Sequence, residues 1–428
     1  MRSTFLLLIF TLFLASDSLD SLINYAIKHS PIIKSTIADI KIASLKRERA
    51  KRAQFGNIDL VASYTHYNIE RTLAPLPPSA MKSKEPITVT KDIYSWGVNY
   101  SVALFVGFAQ VESIKISELA KRLASKKLHL TKEELVFNIK NLYLSILAQK
   151  ELLAANISYL NALRRVLKVV SYQVELGKKA QIDKIKTSAE ISQLKAQIES
   201  IKGNIQITKE TLGALVGRKV GKINRIKIKI KRFSNRNLKR ALKKVPYLDK
   251  IKIEDISIKK AQRMIRKSRS KRYPQVFLNA YYGKNYGEDI YLDKWDNKEV
   301  WQAGINIKYN LIDFGQNSLE IEEAKVEKLK AQLKKVQKLL DLKRDITKAF
   351  EKIKINYSLY LANRENYKLA QKAYEIELTR YKNALSTIND LLIAKAKAQL
   401  ALAKIIESKY EYQKSIYLLD YILERGVK

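Results

Sequence analysis

The side chains that carry most enzyme chemistry are scarce in this sequence. Cysteine is absent, which excludes thiolate nucleophiles, disulfides, thiolate zinc sites and iron–sulfur clusters. The three histidines, His29, His66 and His129, lie far apart in the chain, which argues against a histidine-rich metal site. No G-x-S-x-G, phosphate-binding loop or H-E-x-x-H motif occurs. Carboxylates are plentiful, but on helical stretches they read as solvated partners of lysines one turn away. The residues therefore offer no catalytic constellation, and no catalytic residue, cofactor or metal is expected.

What does stand out is charge. Lys+Arg number 81 against 42 Asp+Glu, a formal net charge of +39. Such a balance first points to nucleic acid. Yet the basic residues are spread along the chain between Ile, Leu and Glu, with denser clusters at Arg218–Arg236 and Arg263–Arg272. A hydrophobic content of 46% is too high for a disordered polycation. A compositional bias, a thermophile-like enrichment in charge, a basic lumen and a surface facing an acidic partner are all consistent with it. A nucleic-acid-binding coiled coil would explain the charge and nothing else below.

The elements that must carry these residues can be read next. Met1 to Leu14, MRSTFLLLIFTLFL, joins a short basic start to an apolar run of about ten residues, as in a secretory signal peptide. It is too short to span a bilayer. Ser16 and Ser18 offer a small-x-small cleavage site, so a signal over 1-18 and a mature chain from Leu19 are expected. Without a Cys there is no lipid anchor. Prolines occur at 31, 75, 77, 78, 86, 246 and 274 only. Because proline breaks helices, Phe108 to Gly177 and Gly315 to Tyr381 are free to form helices of about 100 Å at 1.5 Å per residue. Apolar residues there recur at three and four, as in Leu329, Leu333, Val336, Leu340, Ile346, Phe350 and Ile353.

The sequence also repeats itself. Asn99 to Gly107 falls on Asn306 to Phe314, and the same spacing carries Gly97 to Gly304, Gly177 to Ala384, Asp183 to Asp390 and Leu212 to Leu419. Pro31 falls near Pro246. The expected organisation is a first repeat over 19-217, with strands about 57-68 and 93-106 and a long helical hairpin about 108-216. A basic linker follows over 218-236. The second repeat covers 237-428, with strands about 275-287 and 298-312 and a hairpin about 315-425. Tyr94, Trp96, Val98, Tyr100, Val102 and Leu104 alternate with Ser95, Gly97, Asn99, Ser101 and Ala103. Trp301 to Tyr309 does the same, and Ile58–Tyr64 and Val276–Tyr282 less cleanly. Alternation with aromatic strand ends suits a membrane barrel as well as a one-sided sheet. Four strands cannot close a barrel, so a spanning one must be shared between chains. Arg71–Lys91 and Glu288–Asn297 are expected as loops.

These features together resemble the TolC-like outer-membrane efflux protein family. The carrying residues are Ala26-Ile27-Lys28-His29-Ser30-Pro31 and Ala241 to Pro246 at the start of each half. The strand exits Leu104-Phe105-Val106-Gly107-Phe108 and Leu311-Ile312-Asp313-Phe314-Gly315 each keep one Gly where the family has two. The resemblance implies a mainly α chain with a membrane β-barrel portion, built of two tandem repeats of helices, strand, loop, strand and long helical hairpin. It implies a homotrimer: a 12-strand β-barrel in outer-membrane lipid, continued by a 12-helix coiled-coil periplasmic tube. It further implies an exit duct of a tripartite efflux pump or type I secretion system, working with a periplasmic adaptor (membrane fusion) protein and an inner-membrane transporter, and no nucleic acid. The cargo, whether drugs, metal ions or proteins, stays open. A periplasmic structural coiled coil without channel activity is the main alternative.

The resemblance also assigns roles at the two hairpin turns, Gly177 to Asp183 and Arg380 to Leu392. Asp390 matches a pore-constriction carboxylate, while Ile393 stands where the family has a second acid. Asp183 and Tyr381 match gating contacts, with Ser386 where an Arg is usual and Lys178, Lys179 or Arg380 as substitutes. Gly177, Ala180, Ala384 and Thr387 match small residues at the adaptor contact.

Overall fold

The structure, a computed structural model, describes residues 17–79, 82, 86–383 and 385–427. Residues 1–16 of the expected signal, and Ala384, lie outside the described residues. In chain order the elements are α1 (Leu19–His29), α2 (Pro31–Arg52), β1 (Asn57–Thr72), β2 (Val89–Val106), α3 (Ala109–Glu175), α4 (Gln181–Val216), α5 (Asn235–Lys244), α6 (Asp249–Arg269), β3 (Gln275–Glu288), β4 (Trp295–Lys308), α7 (Gln316–Lys382) and α8 (Ile388–Ile422). The described residues fall into two units. One, the hairpin unit, takes its residues from Met1–Ile37, Lys126–Lys252 and Val336–Lys428. The other, the strand unit, takes them from Ala38–Ser125 and Ile253–Lys335.

In the hairpin unit the repeat governs packing as well as length. Helices α3 and α7 are both 67 residues long. Leu135, Ile139, Tyr143 and Ile146 of α3 are buried in one core cluster. The residues 207 further on, Leu342, Ile346, Phe350 and Ile353 of α7, are buried in a second. A spacing of three and four keeps these side chains on one helical face. Burying each contributes roughly 1.5–3 kcal/mol, so the two halves meet the same packing requirement with the same register. The stripe Leu329, Leu333, Val336 and Leu340 of α7, whose first two residues belong to the strand unit, behaves differently: each is more than half exposed in the single chain.

The first described residues are held by the rest of the hairpin unit. The Asp17 carboxylate accepts hydrogen bonds from Arg218 and from the Gly221 N–H, and its carbonyl accepts from Tyr143 Oη at 3.2 Å. Ser18 caps α1 by accepting from the Ser21 N–H. A chain beginning at Leu19 would lose both; one beginning at Asp17 keeps them.

The strand unit holds an antiparallel sheet in the order β1-β2-β3-β4, so β1 and β4 are both edges. Strand pairing sorts the alternating residues onto two faces. On one, Leu60 opposes Val98, which opposes Tyr282, which opposes Trp301. Next to them Ile58, Trp96, Leu278 and Ile305 belong to the same face. On the other lie Asp59, Asn99, Tyr281 and Gln302. The hairpins are longer than expected: Thr72 pairs with Val89 and Glu288 with Trp295, inside the segments expected as loops. Ladder bonds are made by backbone groups, so polar side chains do not end them. Conversely β4 stops at Lys308 rather than near 312. Lys308 already faces Gln275, the first residue of β3, and Pro274 before it has no N–H to offer.

At each strand exit two consecutive residues have positive φ: Gly107 (60°) with Phe108 (69°), and Phe314 (49°) with Gly315 (86°). One of each pair is therefore a left-handed phenylalanine. A left-handed L-residue costs roughly 1–2 kcal/mol. Phe108 recovers contacts, with ring centroids 5.3 Å from Phe105 and 6.2 Å from Tyr273. Phe314 is 94% exposed and recovers none in the single chain. Phe314→Gly is expected to raise stability by up to about 1 kcal/mol, after the extra freedom of glycine in the unfolded chain is subtracted. A shift of the urea midpoint at constant slope would measure it; Phe108→Gly should not show the same gain.

Candidate channel entrance

The hairpin turns lie wholly within the hairpin unit. Helix α3 ends with Gly177 in the left-handed conformation (φ 67°). The Gly177 N–H bonds to the Val174 carbonyl, and the Lys178 N–H reaches back to Gln173 at 2.8 Å. That pair is the Schellman arrangement, for which glycine is favoured. In the second hairpin the Leu385 N–H reaches the Arg380 carbonyl at 2.8 Å, the equivalent bond 207 residues on.

The two turns differ where α4 and α8 begin. Ala180 stands at the N-cap of α4 with no side chain to cap it. Thr387 caps α8 in a capping box with Asp390. Thr387 Oγ1 donates to the Asp390 carboxylate at 2.6 Å, and the Asp390 N–H returns a bond to Thr387 Oγ1 at 3.2 Å. Thr387-x-x-Asp390 before an apolar run is a capping signal that the sequence itself offers. The Thr387 hydroxyl, and after it the Thr387 N–H, hold the Asp390 carboxyl below the usual range. A lowered folded-state pKa adds stability that is present above the ordinary value and is lost as pH falls through the folded one. Protection of the Asp390 and Leu391 amides, taken relative to the intrinsic exchange rate at each pH, is accordingly expected to fall below about pH 4 and to stay level from about pH 5 to 8. Both sides of Asp390 are thus in use: it caps a helix, and it is exposed in a groove between α7 and α8 with Glu377, Arg380 and Ile393.

Tyr381 is buried with Val170, Ile388 and Leu391. Its hydroxyl has no hydrogen-bond partner in the single chain. Burial, then the nearby Asp183 carboxylate, pushes the phenol pKa up. Asp183 and Tyr381 are therefore neighbours without a hydrogen bond between them. Of the basic residues near the turn, Lys179 sets its amine 4.6 Å from the Tyr381 ring centroid. Arg380 is instead paired with Glu377 at 3.3 Å.

A second set of contacts ties the first hairpin to the second, and spacing arguments do not single it out. Lys395 of α8 sets its amine 4.1 Å from the Tyr374 ring of α7 and 5.4 Å from the Tyr159 ring of α3. Burial lowers its pKa. Further along, Gln399 donates to Asn156 at 2.7 Å, and Lys409 and Tyr410 both donate to Glu151 at 2.9 Å. The available sequence signal was a lysine on the apolar stripe Ile388, Leu391, Lys395, Ala398.

His129, Asp249 and Glu424 each bring a possible ligand atom within 4.8 Å of the others. The donor set suits a cation poorly. Asp249 is already paired with Lys126 at 3.0 Å and Lys252 at 3.3 Å. Glu424 accepts the N–H groups of Asp249 and Lys250. The cluster fastens helix ends instead.

Among the described residues no helix is long and apolar enough to cross a membrane. The strand unit thus offers an apolar sheet face with two free edges, and the hairpin unit two paired helical hairpins, the parts that the resemblance implies. Comparison with known proteins agrees. The family model for outer membrane efflux proteins matches residues 22–218 and 241–422, and the chain belongs to that family. It is an outer-membrane exit duct for efflux. Nodulation protein T of Rhizobium leguminosarum bv. trifolii is 20% identical over 317 residues, 72% of this chain and 67% of that protein. The outer membrane protein VceC of Vibrio cholerae is 16% identical with a TM-score of 0.77, covering 96% of this chain and 97% of that one. The CmeC outer membrane channel of Campylobacter jejuni is 16% identical with a TM-score of 0.74, covering 95% and 86%. At these identities the structural likeness speaks for the fold.

Proposed function

We propose that three copies of the chain assemble into one duct, with the strands in the outer membrane and the hairpins in the periplasm. The observation that carries this reading is the sheet. It has an apolar face on which Leu60, Trp301, Ile305 and Ile307 are each more than 60% exposed, and it has unpaired strands at both edges. Exposed edges and apolar faces are costly in water. Joining β4 of one copy to β1 of the next removes the edges, and three copies supply twelve strands, enough to close. The exposed stripe on α7 supports the same assembly, because a neighbouring helix would cover it. The native mass of detergent-extracted protein tests it. A trimer is expected; a monomer that needs no detergent would restore the coiled-coil alternative.

In that assembly the hairpin turns form the periplasmic entrance and meet an adaptor that links the duct to an inner-membrane transporter. Three Asp390 carboxylates would favour cations at the constriction. Tyr381, with a buried hydroxyl and Asp183 beside it, takes the gating role. Tyr381→Phe removes a hydroxyl that nothing in the single chain satisfies, so it is not expected to weaken the hairpins. It is expected, like Asp183→Ala, to raise the open-channel probability in planar bilayers. Unchanged conductance in both variants would remove the gating assignment and leave the duct intact.

A further inference from the structure

Between Gly217 and Leu248 the chain has thirteen Lys and Arg and no Asp or Glu. At the ratio of the whole chain, 42 acids to 81 bases, about seven acids would fall there. Composition alone does not account for this stretch. Among the described residues Arg218 is the only one of the thirteen with a carboxylate within ion-pair distance.

The geometry is ordered. From Asn224 to Phe233, between α4 and α5, the backbone is neither helix nor strand, and from Arg225 to Lys231 exposure alternates residue by residue, the period of an extended chain. Ile226 and Ile228 pack against the first core cluster, and Ile230 and Phe233 against the second. The alternate residues Arg225, Lys227, Lys229 and Lys231 are exposed. Two residues of extended chain cover about 6.7 Å, so the four cations form a row of about 20 Å. Buried tyrosines pin it: Tyr143 Oη donates to the Asn224 carbonyl at 2.7 Å, and Tyr412 Oη donates to the Lys231 carbonyl while accepting the Lys231 N–H. In α5, Ala241 and Leu242 pack inward while Arg236, Lys239, Arg240, Lys243 and Lys244 are exposed. A row held this way loses little freedom on binding.

We propose that this row, widened by α5, is a docking surface for the carboxylate-bearing glycan–peptide strands of the cell wall. The proposal rests on the periplasmic placement of the hairpin unit given above. A line of evenly stepped cations matches an extended polymer with repeated carboxylates. Insertion into a bilayer would need an exposed apolar face, and here the isoleucines are turned inward; adsorption to anionic headgroups is the outcome that the vesicle comparison below separates. Single-stranded nucleic acid would need exposed aromatic platforms, and the row has none.

The test is co-sedimentation of the full-length, detergent-purified protein with isolated peptidoglycan sacculi. Binding to native sacculi is expected, reduced about tenfold by raising NaCl from about 0.05 to about 0.5 M. Amidating the sacculus carboxylates should reduce it equally. So should the combined substitutions Lys227→Gln, Lys229→Gln and Lys231→Gln, whereas the same three positions changed to Arg should retain binding. Failure to sediment, indifference to amidation or to the Gln substitutions, or tighter binding to phosphatidylglycerol vesicles would each overturn the proposal. Bilayer conductance of the same preparations keeps the two readings apart. A conducting protein that ignores sacculi fails only the docking proposal, and one that never conducts fails the duct.

Discussion

Val98→Arg is expected to abolish assembly of this chain in the outer membrane, while Asn99→Arg, one residue along, is expected to be tolerated. The two side chains leave β2 on opposite faces. Val98 stands between Leu60 and Tyr282, in the middle of the apolar face. If that face meets lipid, an arginine near mid-depth costs about 2–4 kcal/mol in each chain. Three chains each contribute one such residue, so the cost compounds, and the trimer recovered from outer membranes should fall more than tenfold. Asn99 belongs to the polar face, between Asp59 and Tyr281. An arginine there would remain in water. Its expected effect is on ion selectivity, shifted toward anions by three added cations, with the yield of trimer unchanged. Native gels of membrane fractions and bilayer reversal potentials measure the two effects. Equal loss of both variants, or equal tolerance, would mean that the faces have been assigned wrongly.

That pair of substitutions also shows what could be read without a structure. The alternation in Tyr94–Leu104 separates Val98 from Asn99 because a strand has a period of two, and nothing else in the chain needs to be known. The long helices were legible for a comparable reason. Absence of proline permits them, and the apolar spacing gives each one buried face. The repeat was legible because an unbroken offset of 207 keeps Leu135 with Leu342 and Tyr143 with Phe350.

The less legible features are those that depend on which atoms meet. Asp390 was identified by its place at the turn, but its bond to Thr387 required the turn to be folded. Asp183 lies near Tyr381, yet the Tyr381 hydroxyl is left without an acceptor in the single chain, which no residue pattern could announce. Lys395 reads as one more lysine in a lysine-rich chain until Tyr159 and Tyr374 are seen on either side of it. Strand ends were misplaced because the polar segments Arg71–Lys91 and Glu288–Asn297 were expected as loops throughout, whereas a ladder is made by backbone groups. The contacts of Asp17 were hidden for a related reason: its partners, Tyr143 and Arg218, lie more than 120 residues away.

The largest stability loss is expected at one residue of this second kind, Glu133. It lies on α3 and is fully buried. Its carboxylate accepts the N–H groups of Gly426 at 2.7 Å and Val427 at 2.9 Å, with His129 Nε2 3.8 Å away. Those bonds hold the end of the chain, and the end of the chain holds α6. Glu424, in a left-handed conformation (φ 54°), accepts the first N–H groups of α6 from Asp249 and Lys250. Lys250 Nζ in turn donates to the Tyr421 carbonyl at the close of α8. Each partner thus meets the unsatisfied groups and the dipole of the other's helix end. Glu133→Ala leaves two backbone donors without acceptors, and a loss of about 2–4 kcal/mol is expected in urea unfolding. Glu133→Gln, which keeps one acceptor oxygen and drops the charge, should lose less. Hydrogen exchange separates this clasp from a general loss of stability. The amides of Asp249 and Lys250, which Glu133 does not touch, should lose protection in step with Gly426 and Val427. If they stay protected while Gly426 and Val427 exchange freely, Glu424 holds α6 without help from Glu133, and the two ends of the second repeat are fastened independently.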